Sequence, residues 1–170
     1  MEINKINNLL ELFYLQYEKQ NKDSIFLETL KEPKKKYSWK DIYLNIIKLS
    51  KEISTYIKKG ERCLLISENR PEWMITDLSI MLAGGITVPA YTTYTERDYE
   101  YIINDCEPSI IFVSDSAQYE KIKNIIIKKN FIKKIIIFDP ISNLDNDYTL
   151  NIKNIFENKI DESINFLNLK

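Results

Sequence analysis

The sequence predicts an α/β protein: a doubly wound, mostly parallel sheet with helices on both faces, preceded by an amino-terminal helix and a short hairpin. Three observations predict it. Between residues 62 and 139 short apolar runs alternate with segments of helical period, in the order strand, helix, strand, helix, strand, helix, strand. The runs RCLLIS, SIIFVS and KIIIFD are nearly continuous in apolar residues, as strands covered on both faces require. The three glycines, Gly60, Gly84 and Gly85, fall between elements rather than inside them.

The elements follow in order. Ile6, Leu9, Leu10, Phe13 and Tyr17 recur at helical spacing and open the chain with an amphipathic helix. SIFLETL and KYSW, separated by KEPKKK, read as a hairpin with a loop longer than two residues. Ser38, three residues before Asp41, starts a second helix whose stripe is Ile42, Ile46, Leu49, Ile53 and Tyr56, with Gly60 closing it. RCLLIS is the first strand of the alternating region. SENRPEW then turns into the helix PEWMITDLSIMLA, with Asn69 as the expected cap, Pro71 in the first turn and Glu72 reaching back toward Asn69. Gly84-Gly85 ends that helix before the strand ITVPAY. ERDYEYIINDC is a helix opened by Thr95 and Asp98, with Tyr99, Ile102, Ile103 and Cys106 on one face. SIIFVS, AQYEKIKNIIIKK and KIIIFD complete the alternation. Beyond Pro140 the chain is rich in asparagine, and only IKNIFENKI suggests a further short helix. The whole, 1–170, reads as a single domain without internal repeat or long linker.

Composition narrows the chemistry. The 24 basic and 25 acidic residues give a net charge of -1, so no global field favours nucleic acid. Histidine is absent, which removes Ser-His and Cys-His nucleophile pairs and imidazole metal sites. Cys63 and Cys106 are isolated, as suits a reducing compartment; the expected location is the cytoplasm. No apolar run is long enough for a transmembrane segment, which leaves peripheral membrane contact open. No metal site and no catalytic group are assigned. Three scattered glycines do not make a glycine-rich phosphate cradle. A phosphoacceptor reading, with Asp115 after the third strand of the alternating region, lacks the acidic pair at the end of the first, where Ser67-Glu68 stands.

SENRPEWMITDLSIMLAGGITVPAYTTYT, followed by YEYIINDCEPSIIFVSD and preceded by YSWKDIY, resembles the amino-terminal region of long-chain fatty-acid CoA ligases in the adenylate-forming, AMP-binding superfamily, from about Tyr37 to Asp139. The resemblance implies a fatty acid, ATP, Mg2+ and CoA as reactants and cofactors of a full-length enzyme, which makes an acyl adenylate and then a thioester. It also implies that the phosphate loop, the later acidic and arginine motifs and the carboxyl-terminal domain lie outside these residues. The chain is therefore expected to be a partial AMP-binding domain, inactive and without tight cofactor binding alone. The alternative is a non-catalytic α/β binding or interaction module, pairing with a complementary chain through an exposed sheet edge. In either case the rim to watch lies outside the carboxyl ends of the strands. It comprises Glu68, Asn69, Arg70, Tyr91, Thr92, Thr93, Ser114 and Asp139, with Asn69, Arg70, Tyr91, Thr92 and Thr93 as the substrate-facing candidates. Two local roles compete with ligand contact: Thr95 and Asp98 as a helix cap, and Arg70 in an exposed ion pair.

Overall fold

The computed structural model describes residues 6–30, 32–141, 144 and 147–160. Helix α1 (Leu9–Lys19) buries Leu10 and Phe13, two of the expected stripe, and leaves Leu9 about half exposed. Strands β1 (Ile25–Glu28) and β2 (Lys36–Ser38) form the expected antiparallel hairpin, closed by the Thr29 N–H donating to the Lys35 carbonyl at 2.9 Å. Helix α2 (Trp39–Ser54) begins with a full capping box: Ser38 Oγ accepts from the Asp41 N–H at 3.0 Å, and the Asp41 carboxylate accepts from the Ser38 N–H at 2.8 Å. Ile42, Ile46, Leu49 and Ile53 are fully buried.

The helix stops at Ser54, however, and Tyr56 lies past its end. Gly60 does not cap it. At φ 84° Gly60 forms a separate turn whose N–H donates to the Gly84 carbonyl at 2.8 Å, locking two adjacent turns together. The loose Ser-Thr pair at 54–55 already supplies the stop, since both hydroxyls bond back to carbonyls three residues earlier.

Five strands form the main sheet: β3 (Arg62–Ile66), β4 (Ile86–Ala90), β5 (Ile110–Val113), β6 (Lys134–Ile137) and β7 (Thr149–Asn151), all parallel, in the order β4-β3-β5-β6-β7. The order reverses between β3 and β5, so the crevice of a doubly wound sheet opens at their carboxyl ends. Helices α3 (Pro71–Leu82), α4 (Glu96–Cys106) and α5 (Ser116–Ile126) are the crossovers, and α6 (Ile152–Glu157) follows β7.

The period of two along each strand divides the core between the faces. Cys63, Leu65, Ile110, Phe112 and Ile136 pack with α1, α2, α3 and α6, while Leu64, Ile66, Ile111, Val113, Ile135 and Ile137 pack with α4 and α5. Strand β7 is an element the pattern did not announce; Thr-Leu-Asn offers one apolar residue, and pairing with β6 rather than propensity makes it a strand.

Gly84 (φ 82°) and Gly85 end α3 as expected. A Cβ on Gly85 would stand 2.7 Å from Ile57 Cδ1 and 3.0 Å from Ile80 Cγ2, so the close approach of this turn to the α2–β3 connection depends on hydrogen at that position.

Strand β4 is one edge of the sheet. The Ile86 N–H donates inward to the Glu61 carbonyl at 2.9 Å, and by alternation Thr87 and Pro89 turn their backbone nitrogens to the free side. Pro89 has no N–H, so that edge lacks a donor at its centre, the arrangement that blunts an edge against strand addition. This works against the rival module reading at the β4 edge.

At the amino end of the sheet, Glu61 Oε2 accepts from Lys133 Nζ at 2.9 Å and Ser109 Oγ at 2.8 Å. These bonds, led by that to Lys133, lower its pKa from an ordinary 4.5 to about 2. A carboxylate depressed in the folded state contributes stability that is present above its unfolded pKa and lost as pH falls through the folded one. Stability is therefore expected to decline between pH 4.5 and about 2, and Lys133→Ala should flatten part of that limb in denaturant titrations. An unchanged acid limb in the variant would contradict the assignment.

Candidate functional site

The carboxyl ends of β3 and β6 meet at Arg70. Pro71 fixes φ and lacks an N–H, so it takes the first helical position of α3 and places Arg70, extended at φ -155°, as the N-cap residue. The cap is thus one residue later than Asn69, and the start has no side-chain cap bond. Asn69 is exposed beside it.

Glu72 does not reach back to Asn69. Its Oε1 accepts from Tyr37 Oη at 3.0 Å, and its Oε2 accepts from Arg70 Nε at 2.8 Å, which ties the hairpin to the start of α3. The two terminal nitrogens of Arg70 donate to both oxygens of Asp139 at 3.0 and 2.9 Å, a bidentate pair across 69 residues of sequence. Glu68 approaches at 3.5 Å, and the guanidinium lies 5.6 Å from the Phe138 ring centre.

The Arg70 side chain is only 17% exposed and that of Glu72 9%, so the ion pair expected to be exposed is largely buried at Arg70 and Glu72, while Asp139 and Glu68 remain about half exposed. Burial opposes the Arg70 charge, but the bonds to Asp139 and Glu72 more than offset this and raise its pKa. The same bond from Arg70 holds Asp139 below its usual range, with Lys153 and Lys35 adding to the effect, while burial and then Glu72 push the Tyr37 phenol up.

The second part of the rim is the loop after β4. Tyr91 is 72% exposed and its ring meets Tyr94 edge-on at 5.5 Å. The loop is held from below: Tyr99 Oη donates to the Tyr91 carbonyl at 2.8 Å, and Lys121 Nζ donates to the Thr92 carbonyl at 2.7 Å and the Tyr94 carbonyl at 3.2 Å. Thr93 is exposed. Thr95 and Asp98 form a capping box for α4, the local role expected of them. Asp115 has a local role too, accepting from the Gln118 N–H at 2.9 Å as the cap of α5. Ser114 is fully buried, and its Oγ has no hydrogen-bond partner.

The structure thus separates the five candidates. Arg70 is consumed by carboxylates, Asn69 stands exposed next to it, and Tyr91, Thr92 and Thr93 belong to a loop fastened by Lys121 and Tyr99. Sequence reasoning gave Glu72 a different partner and left out Tyr37 and Lys121. An acid in the first turn of a helix, two residues after an arginine, was the available signal for the Arg70–Glu72 pair; nothing local marks the others.

This arrangement does not fit a triphosphate. The guanidinium that would meet phosphate is taken up by Asp139 and Glu72, and Glu68 stands 3.5 Å from it, with Lys35 and Lys153 farther off beside Asp139. Among the described residues no group of three acidic or cysteine side chains is placed to hold a metal ion. Arg70 holds the start of α3 in place, and Lys121 and Tyr99 hold the loop 91–95.

Comparison with known proteins then adds relatives. A family model described as AMP-binding enzyme matches residues 15–158. The chain is 27% identical over 143 residues to long-chain-fatty-acid–CoA ligase ACSBG1 of Rattus norvegicus, covering 82% of this chain and 20% of that protein. It is 30% identical over 112 residues to long chain acyl-CoA synthetase 3 of Arabidopsis thaliana, covering 64% and 17%. In fold it is similar to the luciferase-like enzyme of the nonluminescent Zophobas morio mealworm, at a TM-score of 0.76 and 16% identity, covering 95% of this chain and 36% of that one. The chain spans about a fifth of the length of the curated relatives named here.

Proposed function

Since this chain belongs to the AMP-binding enzyme family, we propose that it is the amino-terminal part of an ATP-dependent long-chain fatty-acid CoA ligase, inactive as the isolated 170 residues. The observation that carries the reading is the family match over 15–158, joined by relatives named as long-chain fatty-acid CoA ligases. In the proposed full-length enzyme, ATP with Mg2+ activates the carboxylate of a fatty acid as an acyl adenylate, and CoA takes the acyl group. Cytoplasm is the proposed compartment, in keeping with two free cysteines.

The residues described here contribute position. Arg70 fixes the start of α3 against the ends of β3 and β6, and Lys121 and Tyr99 fix the loop 91–95. The carboxylates that take up Arg70 and a sequence with no glycine-rich cradle support the proposed inactivity, because phosphoryl transfer depends on donors and cations aimed at developing charge.

The test is ATP–pyrophosphate exchange with palmitate. The purified 170-residue chain should give no exchange above a protein-free blank, whereas a longer chain that continues through a glycine-rich phosphate loop and the carboxyl-terminal domain should exchange. Exchange by the 170 residues themselves would overturn the inactivity; its absence from the longer chain would overturn the ligase reading.

A further inference from the structure

We propose that the β1–β2 hairpin tip is a docking surface for anionic membrane lipid. Leu30 at the tip is 96% exposed, the highest value among the large hydrophobic residues described. Lys34, Lys35 and Lys36 follow it, all exposed, against Glu28 and Glu32. Lys34 Nζ pairs with Glu28 only at 3.8 Å, with 54% of the Lys34 side chain exposed. Lys36 also lines an open groove with Lys48 and Lys153, where Asp41 and Glu157 offset part of the positive charge, so the basic run 34–36 at the tip is the surface that meets the lipid.

An apolar side chain held fully in water beside a run of ammonium groups matches a lipid interface, where the chain enters the acyl boundary and the lysines meet headgroup phosphate. Charge complementarity with an anionic leaflet selects this occupant. A nucleic acid satisfies the lysines and leaves Leu30 in water.

The tip is also placed where docking has a consequence. Tyr37 joins the hairpin to Glu72 at the carboxyl end of β3, and Lys35 is close enough to help lower the Asp139 pKa at the end of β6. A membrane held by the tip therefore lies on the side to which the strand ends open. The link to an acyl substrate rests on the function proposed above; the docking itself does not.

The experiment is co-sedimentation of the 170-residue chain with phosphatidylcholine vesicles, with and without phosphatidylglycerol, in the absence of fatty acid, ATP and CoA. Binding is expected only with the anionic lipid and should weaken with salt. Replacing Lys34, Lys35 and Lys36 with serine should lower the partition coefficient about a hundredfold. Leu30→Ser should lower it about tenfold. A control triple of serines at Lys51, Lys58 and Lys59, at the opposite end of the strands, should change it far less. Circular dichroism confirms that each variant is folded. Absent binding, binding unaffected by Leu30→Ser, or an equal loss in the control triple would each overturn the proposal. So would Leu30-independent binding to RNA tighter than that to the vesicles. None of these outcomes bears on the exchange assay, so the two readings fail separately.

Discussion

Arg70→Ala is expected to destabilise the fold by about 3 kcal/mol in urea titrations at neutral pH. The loss arises less from the attraction removed than from what remains. Glu72, 9% exposed, keeps the Tyr37 hydroxyl but loses its cation, and Asp139 loses a bidentate partner across the crevice. Asp139, half exposed, recovers water, so most of the cost belongs to Glu72. Arg70→Ala combined with Glu72→Gln should therefore regain much of the loss, while Arg70→Lys should regain little, because an ammonium cannot span both carboxylates with the same fork. A loss under about 1 kcal/mol would return the network to the class of surface ion pairs.

Phe112→Ala should cost about 4 kcal/mol. Phe112 is fully buried in β5, a central strand, and belongs to the face covered by α2 and α3; Ile103 on α4 belongs to the other. The sheet keeps their packing partners apart. Ile103→Ala should cost about 3 kcal/mol, and the double variant the sum within about 0.5 kcal/mol. A strong departure from additivity would mean that the two layers share one deformable core.

Much of this architecture was legible because local chemistry and tertiary need agree. RCLLIS, SIIFVS and KIIIFD had to be strands covered twice, and residues 63–66, 110–113 and 135–138 are buried throughout. Ser38 with Asp41 and Thr95 with Asp98 name their helices because a capping box is completed within four residues. Where the deciding contact is distant, the sequence is silent. Helix α3 starts at Pro71 as its sequence predicts, but its cap is Arg70 rather than Asn69, because Asn69 is a good cap by type whereas Pro71 sets the boundary by sterics. Arg70 looked like a surface cation, since Asp139 is far away in the chain and Tyr37 lies in another element. Strand β7 escaped notice for the same reason: its identity is conferred by Ile135, Ile136 and Ile137 beside it.

The candidate rim followed from topology alone, but topology could not say which of its groups are already spoken for. Tyr91, Thr92 and Thr93 were marked by position, and the lysine that fastens them, Lys121, sits on a helix whose pattern gives no hint of the task.

Pro89 carries one last implication, for how the protein behaves when concentrated. A stray polypeptide laid along β4 would find carbonyls there but no central amide to answer its own, so cross-β growth has no template on that side. Pro89→Val, which restores that amide, should make concentrated solutions more prone to thioflavin-positive aggregation than the parent chain.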